Sequence, residues 1–364
     1  LLLTKEKRIF LIVEKNKTTK LLSEKKLKQN QIVNPRYILD FFDKLKKGNI
    51  LIDEKTCSLY LEKIIEKKFK ITKKDDPIYI LKSVKNNIEI KNMINAHIID
   101  GVALTKFIYW IKNLKKLNIT EVDAQNKLEK IRRMNPKYLF PSFNTIAGSG
   151  KNAAIVHYRA KKGNTRIIKN KDIFLCDSGG QYKYGTTDVT RTICFSKQSA
   201  SIRKIFTCVL KGHIAVAKTD LHKTTVGKKI DKHARKFLKK NGLDYGHGTG
   251  HGVGYFLNVH EGPQAISKLN SVKIREGMIL SNEPGFYKKD NFGIRTENLL
   301  YAKKESKKLL FKNLTLAPIE KDLINYKILT KDEKNYLFRY HLEVYTKISP
   351  FLNTKEKKWL ARFI

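Results

Sequence analysis

The sequence is poor in the groups that most often announce a function. Only four cysteines occur in 364 residues (Cys57, Cys176, Cys194 and Cys208), and no two of them form a C-x-x-C pair. That excludes a disulfide scaffold and a thiolate-rich zinc or iron–sulfur site. With no secretory leader pattern, a reduced, cytoplasmic setting is expected. No apolar run approaches the roughly 20 residues of a membrane span. The longest, such as Ile9 to Val13, are strand-sized, so no membrane partner is expected. Arginine is also scarce: of 75 basic residues 62 are lysine and 13 arginine, against 34 acidic ones. The formal charge of +41 invites a polyanionic partner. Guanidinium forks are the preferred groups for phosphates and base edges, however. Lysine spread over every segment reads as a solvated surface, and no nucleic-acid partner is expected.

What is present supports a folded chain. With 41 % hydrophobic and 10 % aromatic residues, global disorder is excluded. The length suits two or three domains. The chain opens on Leu1 rather than Met, which reads as a fragment or a processed product. Residues 1–80 alternate strands (Arg8–Val13, Asn49–Ile52, Phe69–Thr72) with helices (Tyr37–Leu45, Ser58–Lys67), the pattern of a small α/β layer. The polar break Lys73–Pro77 marks a boundary. Beyond it, Lys85–Leu117 carries a 3.6-residue apolar period, expected as one or two helices, and Thr120 N-caps a helix to Met134. Short strands and turns occupy Phe143–Thr192. Helices follow at Ser199–Ala217 and Thr225–Asn241, with strands at Met278–Asn282 and Gly293–Ala302. The tail, 306–364, is expected to be mostly helical.

Three places carry chemistry. An apolar strand delivers Asp177, glycines turn the chain, and a second strand carries Asp188 eleven residues on. A hairpin would bring both carboxylates onto one face, where they repel unless a cation lies between them. Two turn aspartates capping a loop remain the alternative. Next, His247, His251 and His260 lie in a glycine-rich stretch that ends at Pro263. Clustered imidazoles make poor core residues, and glycines let backbone approach a ligand closely. Finally, Glu283 follows an apolar strand and Glu297 comes fourteen residues later, repeating the earlier pair. Two such half-sites facing each other would assemble four carboxylates and a histidine. That donor set suits two hard-to-borderline divalent ions bridged by carboxylates.

In this order and spacing, the motifs resemble the pita-bread metallopeptidases, the family of methionine aminopeptidase, prolidase and creatinase, and within it the Xaa-Pro aminopeptidases. The similarity runs through 96–104 (AHIIDGVAL), 152–158 (NAAIVHY), 177–192, 247–263, 282–285 (NEPG) and 292–298 (FGIRTEN), and into the tail at 314–319 (LTLAPI) and Tyr340-His341. It implies an α/β (α+β) pita-bread catalytic domain with pseudo-two-fold halves over 81–305. A partial creatinase-like domain would precede it over 1–80, and a C-terminal extension would follow over 306–364. It implies that Asp177, Asp188, His251, Glu283 and Glu297 hold two metal ions, typically Mn²⁺, with Zn²⁺ or Co²⁺ as alternatives. Asp188 and Glu297 would bridge them. His157, His247 and His260 would surround the substrate, with His260 and Arg295 assisting proton transfer or the tetrahedral intermediate. The implied reaction releases the first residue of peptides with proline second, by attack of a hydroxide bridged between the ions. Such a water has a pKa lowered toward neutrality, and Glu283 would carry its proton to the leaving nitrogen.

Two other readings compete. A prolidase, restricted to dipeptides, is disfavoured by the tail. A catalytically silent module of the same fold, binding protein or nucleic acid, is disfavoured because all five ligand positions are filled. A homodimer stays open. The resemblance also implies that a first domain is lacking, and it leaves the basic segment Arg159-Ala160-Lys161-Lys162 without a role.

Overall fold

A computed structural model describes residues 1–364, which divide into two compact units, Leu1–Tyr79 and Ile80–Ile364. In the first, Ile9–Ile12 pairs in parallel with Ile32–Val33, and Asn49–Ile52 in parallel with Lys70–Lys73. Parallel neighbours need a crossover, here the helices Thr19–Ser23 and Leu59–Glu66. The Ser58 hydroxyl caps the second helix by accepting from the Leu61 N–H. The third strand begins one residue later than the sequence suggests. Phe69 instead joins the small core of Ile38, Phe42, Ile52, Ile64 and Ile65.

The second unit repeats one plan. Two helices precede an antiparallel sheet whose long hairpin opens at its tip into a smaller one. First come the helices Asn87–Lys112 and Glu121–Arg133, each started by a reciprocal capping box, at Asn86/Glu89 and Thr120/Asp123. The apolar period from residue 85 is thus one continuous helix. Strands Ile173–Ser178 and Val189–Cys194 form the long hairpin, and Gly180–Tyr182 with Gly185–Thr186 the small one. Then come helices Ala200–Ala217 and Gly227–Lys239. Their long hairpin is Ile279–Asn282 with Asn298–Glu305, and the small one is Gly285–Lys288 with Phe292–Arg295.

Strand alternation decides which side chains face the helices. Phe174, Cys176, Val189 and Ile193 pack against Leu104, Phe107, Ile108 and Leu128. Met278, Leu280, Leu300 and Ala302 pack against Val216, Ile230 and Ala234. Asp177 and Asp188 have the opposite parity in the first sheet, as Glu283 and Glu297 have in the second. All four are therefore placed on the faces away from the helices.

The tail is less helical than its sequence suggests. Helices occupy Lys331–Ile348 and Thr354–Phe363, but Lys308–Asn313 is a strand and 314–319 runs extended and buried. Pro318 cannot continue a helix, and side chains satisfy the buried backbone instead. Arg191 donates to the carbonyls of Ala317 and Pro318, and the Ile319 N–H donates to His341 Nε2. No helix is long and apolar enough to cross a membrane.

Burial holds three histidines neutral, His213 with its pKa pushed down to about 3. His97 donates from Nδ1 to the Met93 carbonyl at 2.7 Å, and burial pushes its pKa down to about 4. Burial likewise takes His341 down to about 4. The unfolded chain gains these protons near pH 6.5, whereas the folded chain gains them only near 4 or below. Stability should therefore fall as pH drops from 6.5, by about 2 kcal/mol per histidine at pH 5. Denaturant unfolding at pH 7 and pH 5 checks this, and His97→Gln should lessen the dependence by one histidine's share, about 2 kcal/mol.

Candidate active site

The four carboxylates and His251 meet. Asp177, Asp188 and Glu297 bring oxygens within 4.8 Å of one another, and a ring nitrogen of His251 lies equally close to oxygens of Glu283 and Glu297. A third group joins Asp188, His251 and His260. His251 Nε2 lies 3.4 Å from Asp188 Oδ2 and 3.3 Å from Glu283 Oε1. Burial, with the neighbouring carboxylates, raises Asp188 and Glu297 well above the ordinary carboxylate range. Burial also raises Asp177, against the pull of Arg295.

The tautomer of His251 follows from its partners. Nδ1 lies 2.9 Å from the Gly252 carbonyl, which can only accept, so the proton is on Nδ1. Its Nε2 then faces two carboxylates, an arrangement that a proton or a metal cation between them relieves. Asp177 Oδ1 is buried and has no hydrogen-bond partner. Oxygen donors around an imidazole, one of them orphaned, fit divalent cations.

Groups behind the cluster hold it in place. Ser281 donates to Glu283 Oε1 at 2.9 Å and accepts from the His251 N–H. Thr190 donates to Glu297 Oε2 at 2.7 Å. The Arg295 guanidinium reaches Asp177 at 2.6 Å, the Tyr287 hydroxyl at 2.6 Å and Thr190 at 3.0 Å. Tyr287 lies 2.9 Å from His247 Nε2, whose other nitrogen meets the Gly248 carbonyl. Gly250 permits this density: a Cβ there would lie 1.9 Å from the Ser281 carbonyl oxygen.

All nine residues singled out in the sequence line one cavity of about 440 Å³: His157, Asp177, Asp188, His247, His251, His260, Glu283, Arg295 and Glu297. Asp177, Asp188 and Glu297 form its buried wall, Glu283 is half-buried, and His157 and His260 are exposed. Phe143, Ile146, Val156 and Val259 supply apolar wall. Sequence reasoning missed Thr190, Ser281 and Tyr287. The first two were within reach, since each stands two residues along a strand from a ligand candidate and so shares its face. No sequence signal marks Tyr287.

Comparison with known proteins agrees with this geometry. Residues 91–304, more than half of the chain, match the model of metallopeptidase family M24, and 307–363 match the C-terminal region of peptidase M24. The chain belongs to this family of metallopeptidases. A relative from Pyrenophora teres f. teres, named "Probable Xaa-Pro aminopeptidase P", is 40 % identical over 336 residues, covering 88 % of this chain and 51 % of that protein. The solved X-prolyl aminopeptidase of Caenorhabditis elegans, described as a cytosolic enzyme with a di-nuclear active site, superposes with TM-score 0.83. It is 31 % identical, with 93 % of this chain and 60 % of that one covered. The prolidase of Pyrococcus furiosus gives TM-score 0.69 at 26 % identity, covering 84 % and 86 %. The chain spans about half the length of the curated relatives it matches.

The loop carrying His157 hangs on Glu121, the first residue of its helix and fully buried. Its carboxylate accepts from the N–H groups of Ser149 (2.7 Å) and Arg166 (2.9 Å), from Asn152 and from the Tyr158 hydroxyl (2.7 Å). Glu121→Ala would strand several buried donors, so a loss of at least about 3 kcal/mol is expected in denaturant unfolding. Glu121→Gln should lose less.

Proposed function

We propose that this chain is a dimetal exopeptidase releasing the N-terminal residue from peptides with proline in the second position. The observation that carries the reading is the meeting of Asp177, Asp188, Glu283, Glu297 and His251 in one cavity, beside His157 and His260. We assign catalysis to residues 81–305. Residues 306–364 are read as a C-terminal extension of the aminopeptidase type, and 1–80 as part of a preceding domain.

Asp177 and Asp188 would hold one ion, His251 and Glu283 the other, with Asp188 and Glu297 shared. We take the pair as Mn²⁺, the donor set also accepting Zn²⁺ or Co²⁺. Bound there, two divalent ions supply an acidified water and a Lewis acid for the peptide carbonyl. The chain's own groups do the remainder. Glu283 is placed to take a proton from water and deliver it to the leaving imino nitrogen. His157 and His260 can donate to the carbonyl oxygen as it gains charge, a contribution of about 3 kcal/mol for a good donor. Arg295 restrains Asp177 and, through Tyr287, His247, which lines the same cavity. The acidic wall attracts the substrate's α-ammonium group, so cleavage is confined to the first bond. Proline lacks an N–H and fixes φ, which defeats ordinary peptidases. The apolar wall of Ile146, Val156 and Val259 suits its ring. Four free cysteines favour a cytoplasmic enzyme.

The test is release of the first residue from tripeptides by Mn²⁺-loaded protein. Ala-Pro-Ala should be cleaved and Ala-Ala-Ala should not, with loss of activity on chelation. Cleavage that ignores proline, or persists without metal, refutes the assignment. Cleavage of Ala-Pro alone would mean a prolidase. Asp188→Ala and Glu297→Ala should each abolish turnover and bind fewer than two ions per chain by elemental analysis. Two retained ions would refute the bridging roles.

A further inference from the structure

The basic segment after His157 has no part in the chemistry above. Its geometry is nonetheless well defined. Tyr158 and Ala160 are buried at 7 % exposure each, in a small cluster with Ile146, Ala153 and Leu175. In an extended stretch, alternate residues must then face out, and Arg159 and Lys161 are exposed. A tight turn at Gly163 (φ +86°) closes the loop, with Lys161 and Asn164 exchanging backbone hydrogen bonds. The return strand is tied to Glu121 through the Arg166 N–H. Arg159 and Lys161 are thus carried on an anchored hairpin.

A second cavity, of about 380 Å³, adjoins the active-site cavity and shares Asn144 and Arg159 with it. Its charged lining is Glu129, Arg133, Arg159 and Lys161. Arg133 is paired with Glu129 at 2.7 Å, whereas Arg159 and Lys161 have no acidic partner. The combined groove therefore has an acidic end at the carboxylate cluster and a basic end past Arg159. A short peptide has the same polarity, with a positive amino end and a negative carboxyl end.

We propose that this second cavity receives the part of a peptide downstream of the proline, and that Arg159 and Lys161 bind a carboxylate it carries. The inference rests on the peptidase reading above. The carboxylate can be the peptide's own C-terminus or an acidic side chain, since the same two cations would serve either. Both are exposed and make no hydrogen bond or ion pair to the carboxylate cluster, so their effect belongs in KM rather than kcat.

Cleavage of Ala-Pro-Ala-Glu-amide, Ala-Pro-Ala-Gln-amide and Ala-Pro-Ala-Lys-amide by the Mn²⁺-loaded full chain tests this. A second arm compares Ala-Pro-Ala with its amide. The glutamate peptide should exceed the lysine peptide in kcat/KM by about fivefold to tenfold at low salt, with the advantage shrinking as salt rises. Preference in the first arm identifies a side-chain carboxylate, and in the second the C-terminus; either supports the proposal. In Arg159→Gln, Lys161→Gln and the double variant the ratio should collapse toward one. Each ratio is measured within one preparation, so partial misfolding of a variant cancels. A flat ratio in the parent in both arms, or a preference the variants leave unchanged, overturns the proposal while the peptidase reading stands. Cleavage of none of these peptides removes both.

Discussion

Mutual repulsion among four carboxylates is the constraint around which the larger unit is organised. Asp177, Asp188, Glu283 and Glu297 lie within a few ångströms of one another and, Glu283 apart, are almost withdrawn from water. Left to themselves such groups would hold protons or push apart. Two hairpins, each braced by a pair of helices, prevent them from separating, and the lone pair of His251 adds to the demand for positive charge. Binding cations here relieves a strain in electrostatic energy that the fold imposes.

The scarce arginines take up the second layer of this arrangement. Arg295 braces Asp177. Arg235, salt-bridged to Asp231, donates to the carbonyls of Tyr245 and His247, where the histidine loop begins. Arg191 joins the first hairpin to the extended tail, and Arg132 pairs with Asp100 behind the tip of the first hairpin. A planar fork that serves several acceptors at once suits each position, and lysine could not replace it. The positive charge that dominates the composition is mostly exposed lysine, and it bears on the site only at the rim, around Arg159 and Lys161.

Much of this was legible in the residues. Strand-delivered carboxylates at a repeated spacing, the glycine-rich histidine stretch and the capped helix at Thr120 all depend on neighbours along the chain. The braces showed only in part. Thr190 and Ser281 could be inferred from their spacing to the ligand candidates, but Glu121 and Tyr287 bind the distant Tyr158 and His247, and nothing in their local sequence marks those roles. The tail misled for a related reason. Its extended stretch at 314–319 is stabilised by Arg191, Tyr340 and His341, and no local pattern announces them.

The sequence by itself determined which donors exist, on which strand ends they stand and, through alternation, which face each takes. Periodicity and capping are short-range, so they can be read without knowing the fold. Tertiary structure alone decided that the two hairpins face each other and that His251 aims its unprotonated nitrogen between Asp188 and Glu283. It also decided that the cavity continues past Arg159 into a second, basic groove. Those facts depend on packing between segments a hundred residues apart, where burial, repulsion and hydrogen-bond supply are settled together.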